Sequence, residues 1–129
     1  MKVVCIAIQR PSTSAQNSES SGQLIWNRLE IGRQYTVMGM SYGIDAHGSI
    51  LLAIPDEHYV IDAPLDLFDI VDERPSRYWL ARKFGDHGLH LWPEAFYIDY
   101  FHDRLSDFDP ELTAIYRELR ARMESEFDA

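Results

Sequence analysis

The sequence predicts a mainly β domain of the α+β class: a small antiparallel barrel or strongly bent sheet with a packed C-terminal α-helix. Three observations lead there. Short runs rich in β-branched and aromatic residues recur up to about position 92, broken by turn residues at close spacing. After Asp109-Pro110 the apolar period changes to that of a helix. At 129 residues, 46% of them apolar, the chain suits one domain with a real core and is too short for two ordinary ones.

The elements follow in order. Residues 3–8, VCIAI with its leading Val, read as a first strand. Residues 11–22, PSTSAQNSESSG, are almost without apolar side chains and are expected to form a flexible loop. Gly32 permits a turn into a strand with Tyr35 and Val37 on one face and Thr36, Met38 and Met40 on the other. Gly39 interrupts the first face, which marks a bulge or a close approach of backbone. Residues 43–49 are turn-like, and 49–54 form the returning strand. A tight turn at Pro55-Asp56-Glu57 leads into a strand over 58–62, a helical turn over 64–67 and a strand over 68–71. After the break at Arg74-Pro75-Ser76, strands over 77–84 and 89–92 flank a turn at Gly85–Gly88. A short helical turn is expected near 100–106. Asp109 then supplies an N-cap and Pro110 the first helical position for a helix over 110–126. Leu112, Ile115, Tyr116, Leu119, Met123 and Phe127 make its inner stripe, and Glu118, Arg122 and Glu126 face water.

The barrel-like part thus covers about 1–92 and the helical part about 97–127 of a single domain. Trp79 and Trp92 are expected in the core because each carries a large apolar area. Trp26 is expected at least partly buried, an exposed anchor being the alternative.

Charge narrows the function classes. With 21 acidic and 12 basic side chains the formal net charge is −9. Nucleic acid is disfavoured as a partner, since phosphate binding needs a concentrated basic surface, whereas a basic protein partner suits. No apolar run reaches the ~20 residues that span a bilayer, and the N-terminal run is too short for a signal-peptide core. The expectation is a cytoplasmic protein without a membrane partner.

Chemistry is sparse. Cys5 is the only cysteine, so neither an intrachain disulfide nor a multi-thiolate metal site can form. It lies mid-strand among apolar residues and reads as a small buried hydrophobe rather than a nucleophile. His87 and His90 sit three apart, but the flanking glycines make that segment a turn with no marked third ligand. His58 with Asp56, Glu57 and Asp62 reads as turn residues beside a strand rather than an acid–base cluster. There is no Gly-rich phosphate loop and no nucleophile elbow. No catalytic residue, metal or cofactor is expected.

Charge patterning remains. Between Asp56 and Glu73 there are seven acids and no Lys or Arg. A second acidic zone runs through Asp99, Asp103, Asp107, Asp109 and Glu111, relieved only by Arg104. Charge runs are commonly solvated faces. A field of one sign nevertheless steers a basic partner and raises its on-rate.

Several stretches resemble known proteins. VVCI at 3–6, LEIGRQYTV at 29–37, the turn at 56–58 and PLDLF at 64–68 resemble a recurring bacterial and phage SH3-like barrel, although the turn lacks the usual glycine. RPSRYW at 74–79, the hairpin and the acidic C-terminal helix resemble immunity proteins of bacterial contact-dependent growth inhibition and polymorphic toxin systems. That resemblance implies binding and neutralisation by occlusion of a cognate toxin domain, often a nuclease and here expected to be basic. On that reading the first acidic stretch supplies the expected partner-binding residues, Asp56, Glu57, Asp62, Asp66 and Asp69, with Tyr59 as the nearest aromatic anchor. Two other classes stay open: a regulatory or assembly module that binds protein, and a small metal-binding protein or enzyme using His58, His87, His90 or His102.

Overall fold

In a computed structural model the protein is described over residues 1–9, 25–43 and 49–127. The expected loop at 11–22 and most of the 43–49 turn lie outside the described residues. Among the described residues eight strands form two antiparallel sheets. The first strand, β1 (Lys2–Cys5), is the centre of a three-stranded sheet ordered β2-β1-β6, with β2 at Gln34–Thr36 and β6 at Phe68–Asp72. The second sheet has the order β5-β4-β3-β8-β7. Its strands are β3 (Gly39–Tyr42), β4 (Ile50–Pro55), β5 (Val60–Pro64), β7 (Trp79–Phe84) and β8 (Gly88–Pro93).

The α+β class therefore holds, and the two sheets do not close into a barrel. The reason is local. The chain leaves the first sheet at Val37 and enters the second at Gly39, so the long strand read across Tyr35–Met40 is broken. At this corner Val37 N–H donates to Met1 O (3.0 Å) and Met38 N–H to Ala53 O (2.9 Å). Val37 and Met38 are both fully buried, but in different cores. Past the corner the alternation restarts, and Met40 packs with Val37's core rather than with Met38's.

The first core lies between the sheets and unites Val3 and Cys5 with Tyr35, Val37, Leu52, Ile54, Ala63, Leu67 and Phe68. The second joins Met38 and Ala53 to Phe96, Phe101, Leu105, Leu112, Tyr116 and Met123. β4 serves both, with Leu52 and Ile54 on one face and Ala53 on the other, as the two-residue period of a strand requires. The layers are sheet, sheet and helices.

Gly39 is the close approach the sequence marks. A Cβ there would meet Trp92 Cδ1 at 2.8 Å and Leu91 O at 3.1 Å. The hairpin of β7 and β8 forms with Trp79 opposite Pro93 and Phe84 opposite Gly88. Trp79 and Trp92 are half-buried and keep their indole N–H groups bonded, to Met38 O (3.0 Å) and Ser41 Oγ (3.1 Å). Trp26, also half-buried, donates to Asp62 O at 3.0 Å. Cys5 is buried, donates its thiol to Ala7 O (3.2 Å), and burial raises its pKa. The thiolate is thereby disfavoured, which fits a hydrophobic rather than a nucleophilic role.

Two helices complete the second core: α1 (Phe101–Ser106) and α2 (Pro110–Glu124). Asp109 caps α2, its carboxylate accepting from the N–H groups of Glu111 (3.0 Å) and Leu112 (3.3 Å). Leu112, Tyr116 and Met123 are buried, while Ile115 and Leu119 are half-buried at the margin. Glu126 departs from expectation. Its carboxylate accepts from Ser76 Oγ (2.8 Å) and Arg77 N–H (2.7 Å), tying the end of α2 to the segment before β7. Among the described residues no helix is long and apolar enough to cross a membrane.

Candidate functional site

The acidic stretch begins in the turn between β4 and β5, and α2 holds that turn. Asp56 N–H donates to Tyr59 O (2.8 Å) across it. Tyr116 Oη donates to Asp56 O (2.6 Å) and Tyr59 O (3.0 Å), and Arg120 Nη1 donates to Asp56 O (2.9 Å). The Asp56 carboxylate pairs with Arg28 at 2.9 Å, and the same guanidinium lies 5.0 Å from the centre of the Tyr59 ring. The run without Lys or Arg in sequence thus meets arginines from elsewhere in the chain. Asp56 and Tyr59 hold the turn, and only Glu57 stands fully outward, 3.7 Å from His58.

The other expected residues diverge. Asp62 lies on β5 opposite Ala53 and interacts electrostatically with His102 of α1. Asp66 is in the 3₁₀ turn Leu65–Leu67, and Asp69 is on β6 in the other sheet, opposite Val4. The six residues are therefore carried by the β4–β5 turn, β5, a 3₁₀ turn and β6.

The structure instead joins the first acidic stretch to the second. The Phe108 ring stands edge-on to His58, 5.7 Å between centres, and Asp62 and Asp103 both act electrostatically on His102. Acids some forty residues apart in sequence meet at α1. Helix α1 buries Phe101 and Leu105, which are four apart and share a face, and leaves Asp103 and Ser106 exposed. Asp99 and Asp107 flank it in the open. Arg104 is spent on Asp109 at 2.9 Å, so Asp99, Asp103, Asp107 and Glu111 enter no ion pair among the described residues.

Two aromatic residues bracket this helix in backbone conformations that side chains disfavour. Tyr100, before it, has φ 59° and is 76% exposed; Phe108, after it, has φ 60° and is 64% exposed. Phe108 takes the place where helices usually put glycine. Its N–H bonds Leu105 O and that of Asp109 bonds Arg104 O (both 3.0 Å), the two bonds of a Schellman ending. The left-handed region costs an L-residue about 1–2 kcal/mol. Burial does not repay that cost, because both rings are largely in water. Nothing in the sequence signals these conformations, since neither position carries Gly or Asn.

Two of the histidines share a setting, His90 and His102 both packing against Trp92, while His58 and His87 lie in turns. Trp92 Nε1–H donates to Ser41 Oγ, which also shares a hydrogen bond of 2.9 Å with His90 Nδ1. His90 is buried and stacked on Trp92, ring centres 3.7 Å apart. His87 is exposed in the hairpin turn. Among the described residues no three His, Cys, Asp or Glu side chains are grouped to hold a metal. Burial lowers the pKa of His90, with His102 acting in the same direction. Burial lowers that of His102 too, against the pull of Asp62 and Asp103. Asp62 is exposed as a residue, yet desolvation of its carboxyl raises its pKa, partly offset by His102.

These shifts set a pH dependence. Above the ordinary histidine value of 6.5 both rings are neutral, folded or unfolded, and add nothing. Below it the unfolded chain takes up protons that the fold resists, so stability falls with pH. Asp62 works oppositely from its raised value downward, because there the fold holds the proton better than the unfolded chain. The urea midpoint is therefore expected to drop between pH 7.5 and 5.5, and His102→Gln and His90→Gln each to flatten the drop. A midpoint that rises on acidification over this range would show that the histidines are not buried neutral.

Comparison of the chain with family models, with curated proteins and with solved structures found no match.

Proposed function

We propose that this protein binds a basic protein partner through the surface around α1. The observation that carries this reading is the meeting of two acidic zones at a helix flanked by two exposed, strained aromatic residues. Strain kept at exposed side chains is expected where those side chains act on something outside the fold. Carboxylates around them suit lysine and arginine groups, which pair with carboxylates and stack on aromatic faces. Tyr59, clamped under Arg28, gives up the anchor role to Phe108 and Tyr100.

The role we assign is that of a cytoplasmic bacterial immunity protein, in which the partner is a toxin domain and binding occludes its working surface. This part rests on the resemblance of 74–79 and the acidic helical region to that class. Occlusion asks no bond-making of the protein.

The test is capture of the partner from cells of origin, followed by an assay of its activity. A basic partner, inhibited at equimolar ratio by the purified chain, is expected. The on-rate should fall as salt shortens the Debye length from ~10 Å at 0.1 M to ~3 Å at 1 M, with a smaller effect on the off-rate. A partner that is not basic, or an on-rate indifferent to salt, would defeat the electrostatic reading. A basic partner whose activity survives saturation would leave binding but remove neutralisation.

A further inference from the structure

A different pair of surfaces points to a second interaction. β6 and β7 each end a sheet, so one side of each strand has no neighbouring strand among the described residues. An edge leaves the N–H and C=O groups of every second residue outward, a template for another strand. Both edges also keep large apolar side chains in the open. On β6, Ile70 is 48% and Val71 50% exposed; on β7, Leu80 is 41% and Phe84 51% exposed. A concavity of about 560 Å³ runs along Ile70, Val71, Asp72, Glu73 and Arg74.

The two edges carry opposite charge. Asp72 is held by Arg74, which leaves Asp69 and Glu73 as the outward charges of the β6 edge. From Arg77 to Phe84 the β7 segment has Arg77, Arg82 and Lys83 and no acid. Asp69, Glu73 and Lys83 enter no ion pair among the described residues. On a chain of net charge −9, this hairpin is a local positive feature.

Pairing either edge with its own copy sets like charges opposite each other, which destabilises a cross-strand pair. Pairing β6 with β7 sets carboxylate against cation and apolar against apolar. We infer that the chain associates with a second copy of itself head to tail, the β6 edge of one molecule against the β7 edge of the next. Such a contact uses different surfaces on the two copies, so each molecule keeps one open edge and association continues past the dimer. A bulge at Val71, where Lys2 pairs with Asp72 but Val3 with Ile70, confines regular pairing to Phe68–Ile70. The contact is therefore weak and appears at high protein concentration.

Charge exchange tests this with the whole chain. One variant carries Asp69→Lys and Glu73→Lys; the other carries Arg82→Glu and Lys83→Glu. Arg82 lies 4.1 Å from the Tyr97 ring centre, so Lys83→Glu alone serves as a second β7 variant, and thermal melts establish that each is folded. By light scattering over a concentration series, the wild-type mass is expected to climb through the dimer. Each variant alone, now with edges of like sign, should stay monomeric. An equimolar mixture of the two should regain association, because each one's reversed edge meets an opposite edge on the other. A wild type monomeric at every concentration overturns the inference, as do variants that associate like wild type or a mixture that stays monomeric. None of these outcomes touches the α1 surface, so the proposed function stands or falls separately.

Discussion

Tyr116→Ala is expected to cost about 3–5 kcal/mol of folding stability, the range for removing a buried aromatic ring, with the unfolding transition still cooperative. Tyr116 is fully buried among Met38, Ala53, Phe101 and Leu105, where α2 meets the sheet. Tyr116→Phe separates ring from hydroxyl. The hydroxyl donates to Asp56 O and Tyr59 O, but both oxygens keep another donor: Arg120 Nη1 for the first, Asp56 N–H for the second. Neither acceptor is stranded, so the Phe variant should lose only the ~0.5–1.5 kcal/mol of an ordinary hydrogen bond. Urea titrations of the two variants check this. If Phe costs as much as Ala, the turn at Asp56–Tyr59 depends on the hydroxyl, and burial of the ring contributes little of the stability.

Much of this fold is legible in residue order because its determinants are local. Asp109-Pro110 marks the start of α2, and the glycines at 85 and 88 bound the hairpin turn. The strand alternation of β4 is a property of neighbouring residues. What the sequence hides is set by contacts between distant segments. The corner at Val37–Met38 depends on bonds to Met1 and Ala53. Without those partners in view, residues 35–40 read as one strand, and a barrel stays as reasonable as two open sheets. The site fails to show for the same reason. The Asp56 carboxylate looks unpaired until Arg28 arrives, and its backbone carbonyl until Arg120 does. Glu126 looks solvated until it meets Ser76 and Arg77. The left-handed backbone at Tyr100 and Phe108 has no residue-type signal at all, and it is the feature on which the α1 surface rests.

Phe108→Gly should weaken partner binding while leaving the fold as stable as before or slightly more so. These opposite directions separate a binding residue from a structural one. At φ 60° a glycine removes the left-handed penalty of ~1–2 kcal/mol, against ~0.5–1 kcal/mol of added backbone freedom in the unfolded chain. The ring is 64% exposed, and its one aromatic contact among the described residues is to His58, so little burial is lost. At an interface a central aromatic truncated to nothing typically costs ~2 kcal/mol or more, about 30-fold in affinity. Tyr100→Gly should behave likewise. Asp103→Lys with Asp107→Lys should act mainly on the on-rate, because exposed charges steer encounter. The control is Glu118→Lys, whose carboxylate pairs with Arg122 on the outer face of α2. Calorimetric melts and surface-binding kinetics on the same samples give both readouts. If Glu118→Lys weakens binding as much as the α1 variants, the surface has been misplaced. If Phe108→Gly lowers the melting temperature and leaves affinity unchanged, its ring serves the fold, and the strain argument for the α1 surface collapses with it.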